Sequence, residues 1–153
     1  MKVFTTLGLI VCLNLGMVSC GSSQTIFDTS KEKSEKIMNK LNNTKWVLKR
    51  IDSADRDFIP TDEQKELVLS FTDNYYGTSD GCNGQGGDFT IEDNKITFEP
   101  GMSTLRYCGE EMAHLIYSVP LGQTTSIRIE RDQLQLLDEN NAVIATYLKK
   151  EEE

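Results

Sequence analysis

The stretch Asp88-Phe89-Thr90-Ile91-Glu92-Asp93-Asn94-Lys95-Ile96-Thr97-Phe98 decides the fold. Apolar and polar residues alternate on both sides of Glu92-Asp93-Asn94. Alternation at period two turns one face of each segment to a core and the other to water. Asp and Asn suit the tight connection between them, so the stretch reads as a β-hairpin. The same rhythm runs along the chain. Leu67, Leu69 and Phe71 share one face of a strand between Glu66 and Thr72. Ser126-Ile127-Arg128-Ile129 and Gln133-Leu134-Gln135-Leu136 flank Glu130-Arg131-Asp132 as a second hairpin. Asn140-Asn141 then turns the chain into a strand from Val143 to Leu148. Trp46 to Ile51 and Asn74 to Thr78 complete the set.

One segment breaks this rhythm. Met112, Leu115, Ile116 and Val119 recur at helical spacing. Glu110 and Glu111 stand in the first turn, where the helix dipole favours negative charge. Pro120 ends the segment. The plan is five strands, a helix and three strands. It predicts an α+β fold: a single antiparallel, sheet-dominated domain with one main amphipathic helix. The sheet is expected to be a coiled open sheet or a partly closed small barrel.

Outward from the domain, the N-terminus carries a different signal. Lys2 precedes an apolar run from Val3 to Val18, followed by Ser19-Cys20-Gly21. A membrane-spanning helix needs about 20 apolar residues. The run from Leu7 to Val18 is shorter and contains Asn14, which suits the apolar region of a secretory signal. The order Met17-Val18-Ser19-Cys20 resembles a bacterial lipoprotein signal. That resemblance implies cleavage before Cys20 and acyl chains carried there. Residues 1–19 are then the signal peptide and residues 20–41 a lipidated flexible tether. A short helical turn is expected where Ile37, Met38 and Leu41 fall, and the domain proper covers 42–150. The expected location is the bacterial cell envelope, lipid-anchored to the periplasmic side of the outer membrane. Two or three acyl chains give firm anchoring where one gives only reversible binding.

Charge supports anchoring by lipid alone. The 153 residues carry 16 basic and 24 acidic side chains, net −8, and loss of residues 1–19 removes only Lys2. Such a surface on average repels nucleic acid and anionic lipid heads. No nucleic-acid partner is expected.

Inside the domain the sharpest motif is Gly81-Cys82-Asn83-Gly84-Gln85-Gly86-Gly87-Asp88-Phe89, followed by Met102-Ser103-Thr104-Leu105-Arg106-Tyr107-Cys108. With Thr44-Lys45-Trp46-Val47-Leu48 before them and Leu134 to Tyr147 after, these residues resemble the META domain, or HslJ-like, family over roughly 42–149. The family motif falls on Trp46, Gly81, Cys82, Asn83, Thr104 and Cys108. The resemblance implies an envelope lipoprotein linked with heat and antibiotic stress and without established catalysis.

Cys82 and Cys108 lie 26 positions apart, in a chain whose signal points to an oxidising compartment. A disulfide between them would stabilise the fold by roughly 3.5 kcal/mol in the chain-entropy model. Two buried thiols are the alternative. A zinc site lacks ligands, because His114 is the sole histidine, and there is no Cys-x-x-Cys pair. The glycine cluster lacks the Lys-Ser/Thr of a phosphate loop and reads as a turn and bulge needing positive φ. His114 reads as an ordinary helix residue. Ser103 and Thr104 lack a nameable base. Arg106 could pair with Asp80 or Asp88. Trp46 reads as core. No metal, cofactor or catalytic residue is expected. The function implied is a non-enzymatic envelope module that binds or supports an envelope protein. The alternative is a carrier holding an apolar, lipid-like ligand in a curved-sheet cavity.

Overall fold

The computed structural model describes residues 23–53, 56–60, 67–80, 82–107, 109 and 120–151. The expected helix at 110–119, with Glu110, Glu111 and His114, lies outside the described residues, as do Cys20, Gly81 and Cys108. Helix α1 (Ser23–Leu41) leads into ten strands. These are β1 (Thr44–Ser53), β2 (Arg56–Phe58), β3 (Val68–Thr72), β4 (Tyr75–Ser79), β5 (Gly84–Glu92), β6 (Lys95–Phe98), β7 (Met102–Ser103), β8 (Ser126–Glu130), β9 (Gln133–Leu137) and β10 (Val143–Lys149).

The strands close on themselves. Their order is β1-β3-β4-β5-β6-β8-β9-β10, and β10 pairs back onto β1, so eight antiparallel strands form a complete barrel. β2 extends β1, and β7 adds to β5. The expected small antiparallel barrel is present, and it is fully closed where a partial closure or an open coiled sheet was expected. The closing pair joins segments about a hundred residues apart, which alternation alone cannot reveal. The two hairpins read from the sequence are β5–β6 and β8–β9, with Glu92 opposite Lys95 and Glu130 opposite Gln133. Their turns hold Asp93 at φ 60° and Arg131 at φ 51°.

The alternating residues do face inward. Trp46, Leu48, Leu69, Phe71, Tyr76, Phe89, Ile96, Leu134, Leu136 and Tyr147 are all at most 2% exposed and pack as one core. Phe71 meets Phe89 edge to face at 5.1 Å, and Tyr76 meets Phe98 the same way at 4.9 Å. Small barrels fill their interior with side chains in this manner. Among the described residues the Tyr147 hydroxyl has no hydrogen-bond partner, and burial pushes its pKa well above the usual phenol range.

The segment expected as a tether with one helical turn is instead a 19-residue helix. Ile37, Met38 and Leu41 show apolar spacing near its end, and apart from Ile26 and Phe27 the rest is polar, so the sequence displays one turn. Tertiary contacts hold its C-terminal half. Leu41 is fully buried, and Ile37 and Met38 pack against the core. The Asp93 amide donates to Ser34 Oγ at 2.8 Å, and the Asp73 amide donates to Asn42 Oδ1 at 2.7 Å. α1 therefore lies across the barrel end that carries the turns at Asp73 and Asp93.

The glycine cluster is also different from its expectation. Gly84, Gly86 and Gly87 lie within β5, and the only described glycine with positive φ is Gly109. Glycine is required by close approach. A Cβ on Gly87 would sit 2.7 Å from the Glu99 carbonyl oxygen, and one on Gly101 1.6 Å from that of Gly86. Phe98 pairs with Phe89, and Met102 with Gly86. Four steps on one strand thus match three on the other. The bulge is real but falls at Glu99–Gly101, opposite the glycines.

Candidate functional site

The motif residues meet where β4 passes into β5. Asp80 follows β4 and is fully buried. Its Oδ1 accepts the amides of Cys82 at 2.8 Å and Asn83 at 2.6 Å. Its own amide donates to the Asn83 carbonyl at 3.1 Å. An Asp side chain that bonds backbone two and three residues on reverses the chain tightly. That turn aims Asn83 at the segment after β7.

Asn83 then acts as a short piece of strand. Its Nδ2 donates to the Arg106 carbonyl at 2.9 Å, and its Oδ1 accepts the Arg106 amide at 2.6 Å. The carboxamide thus pairs with Arg106 as a neighbouring peptide group would. Oδ1 also accepts the Thr104 hydroxyl at 3.2 Å, and Thr104 Oγ1 accepts the Gly84 amide at 3.0 Å. The Thr104 amide closes the set by donating to the Gly84 carbonyl at 2.9 Å. No other residue type supplies a donor and an acceptor in this planar arrangement except the longer Gln.

Cys82 Sγ lies 3.6 Å from the Arg106 carbonyl oxygen and 3.4 Å from Asn83 Nδ2. Arg106 itself is exposed. Among the described residues it forms no ion pair with Asp80 or Asp88, contrary to expectation. Asp80 is buried with Oδ1 committed to the turn, and Oδ2 has no partner among the described residues. Asp88 faces outward on β5, opposite Tyr75. Trp46 stands apart from this cluster, 1% exposed in the core, with its indole N–H donating to Thr44 Oγ1 at 2.7 Å. Of the motif set, the structure joins Cys82, Asn83 and Thr104, and leaves Trp46 to packing.

The clamped segment displays apolar side chains. Met102 and Leu105 are each 84% exposed and Tyr107 is 78% exposed. Apolar residues so exposed, close together along a backbone fixed at Thr104 and Arg106, offer surface that can bury against another molecule. The sequence held two missed signals. Asp80 stands three before Asn83, a spacing for side-chain-to-backbone turns. Pro100-Gly101 marks the bend that re-aims the chain onto β5.

A closed eight-stranded antiparallel barrel, with a helix across one end and an Asn-clamped edge segment, defines the structural class. The META domain family model matches residues 39–151, and the chain belongs to that family. The fold is similar to the NMR structure of a protein from Burkholderia xenovorans. That likeness has 21% identity and a TM-score of 0.60, and covers 76% of this chain and 88% of that one. Among curated proteins none matches.

Proposed function

We propose that this chain is a non-enzymatic cell-envelope lipoprotein whose META domain binds or supports another envelope protein under stress. The observation that carries the proposal is the strip Met102, Leu105 and Tyr107, held outward by the Asn83 clamp. A partner that covers the strip gains apolar burial without having to order the backbone first. The leader from Lys2 to Cys20 supports lipid attachment to the periplasmic side of the outer membrane. Thr104 supports the non-enzymatic reading, since its hydroxyl is engaged on both sides in holding the clamp. The filled barrel interior favours this reading over a carrier with its ligand in the lumen.

A disulfide between Cys82 and Cys108 belongs to the same proposal. The described chain brings Arg106 to the Cys82 sulfur, and one residue, Tyr107, separates Arg106 from Cys108. The bridge would fix the far end of the strip. A photo-crosslinking residue at position 105, in cells, tests the proposal against the same residue at Glu139, in the β9–β10 turn. The expected result is one envelope protein captured at 105 and not at 139. Its capture should disappear when Met102 and Tyr107 are both changed to Ser without loss of fold. Equal capture from both positions, or turnover of a defined substrate abolished by Thr104→Val or His114→Ala, would overturn it.

A further inference from the structure

The barrel wall is thin where β6 passes to β8. Pairing there is confined to Lys95 with Ser126, supported by Ile96 N–H to Thr125 O at 3.1 Å and Ile127 N–H to Asn94 O at 2.9 Å. α1 crosses beside this seam. Between helix and strand lies a cleft of about 270 Å³. Its walls include Ile37 from α1 and Ile127, Ile129 and Leu137 from β8 and β9. Ile127 and Leu137 are each only 3% exposed, and Ile37 and Ile129 are half-buried, so the floor is apolar.

The rim is cationic. Lys33 and Lys40 stand on α1 and Arg128 on β8, all three exposed and all lining the cleft. No carboxylate lies among its described lining residues. Gln135 Oε1 accepts from one Arg128 nitrogen at 3.2 Å, which orients the guanidinium and leaves its other N–H groups available. The contrast within the same molecule is informative. A second cleft, of about 410 Å³, also gathers three lysines, Lys45, Lys149 and Lys150, but Asp132 and Glu151 line it too. Two carboxylates there offset most of the charge of its three lysines, whereas none lines the seam cleft among the described residues. In a chain of net charge −8, a cleft lined by three cations and no described carboxylate stands out.

We propose that the seam cleft binds a single-chain anionic amphiphile, its alkyl chain on the isoleucine floor and its head group between Lys33, Lys40 and Arg128. Size sets the class. The volume holds about nine water-sized units at roughly 30 Å³ each, which matches a single chain of roughly eight to ten carbons. Charge sets the head. A guanidinium fork matches a carboxylate or a phosphate, and two ammonium groups nearby add attraction. The site lies apart from the Met102–Tyr107 strip and does not depend on its role.

The test is a titration of the full chain, with methyl resonances of Ile127, Ile129 and Leu137 followed by NMR below the micellar concentration. Sodium decanoate and decyl phosphate are the probes, one for a fatty-acid source and one for a phosphate-headed source. Decanol and decyltrimethylammonium are the controls. The expected result is saturable movement of these methyls with at least one anionic probe, and about tenfold weaker binding in the Lys33→Glu, Lys40→Glu double variant. Both lysines are exposed, and an unchanged free-state spectrum confirms that the variant folds. Arg128→Gln should weaken binding without reversing charge, and 0.5 M salt should weaken it further. Equal response to decanol or to the cationic chain overturns the proposal. So does unchanged affinity in both variants, or shifts confined to other residues.

Discussion

The ring is closed at two joints that differ sharply. At β1–β10 the strands pair from Trp46 with Lys149 to Ile51 with Ala145, over inward-facing Trp46, Leu48 and Tyr147. At β6–β8 they pair at Lys95 with Ser126 alone. The first joint carries its own ladder and aromatic packing. The second has α1 beside it: Ile37 lines the cleft there with Ile127 and Ile129, while Met38 and Leu41 pack on the core. A closed barrel therefore need not be uniformly closed. Where the ladder is short, an element from outside the ring completes the wall and can leave a cleft beside it.

The largest expected effect tests the strand that feeds the weak joint. Gly101→Ala places a Cβ against the Gly86 backbone, where no rotamer can relieve it. Either β7 leaves β5 or the bulge shifts. Loss of more than about 4 kcal/mol, or failure to fold, is expected by urea unfolding. A loss under 1 kcal/mol would show that the bulge is soft and that the joint is not strained from this side.

Leu41→Ala comes next, at about 2–5 kcal/mol, because it empties a fully buried position on the helix that covers the seam. Amide exchange should accelerate more at Ile96 and Ile127 than in β1–β10. Asn83→Ala should cost about 1–3 kcal/mol, since Arg106 and Thr104 lose their side-chain partner. Its mark should be confined to residues 102–107, away from both joints, as read by residue-resolved exchange.

The smallest effect sharpens the strong joint. Tyr147 buries a hydroxyl with no partner among the described residues. Tyr147→Phe should therefore be neutral or stabilising by up to about 1 kcal/mol. Its pH dependence has a definite sign. Burial raises the folded pKa above the ordinary value of 10.0, so the unfolded chain loses the proton first. Stability is unaffected by this group below pH 10 and falls as pH rises above it. The phenylalanine variant should show a shallower alkaline decline in melting temperature.

These regions also differ in how far the sequence reveals them. Strands such as β3 and β9 are legible because Leu69 with Phe71, and Leu134 with Leu136, keep strict alternation against water. The closure is not legible, because β1 and β10 carry no local mark of each other. α1 is only partly legible, because most of its length is polar and only Ile37, Met38 and Leu41 show its period. Gly86 and Gly87 misled for a physical reason. Glycine signals either positive φ or close approach, and only the opposing Glu99–Gly101 bend decides between them. In the candidate site, the motif residues Asn83 and Thr104 were identifiable as residues. Their clamp was not, since it depends on Asp80 turning the chain and on the bulge re-aiming β7.

The central claim is that the β6–β8 joint depends on α1 while the β1–β10 joint does not. Residue-resolved amide exchange of the Ile37→Asp variant measures this most directly. The account predicts that the Ile96 and Ile127 amides exchange at least about tenfold faster than in the unaltered chain, with Leu48 and Tyr147 amides little changed. Uniform acceleration across both joints, or none at the seam, would contradict it.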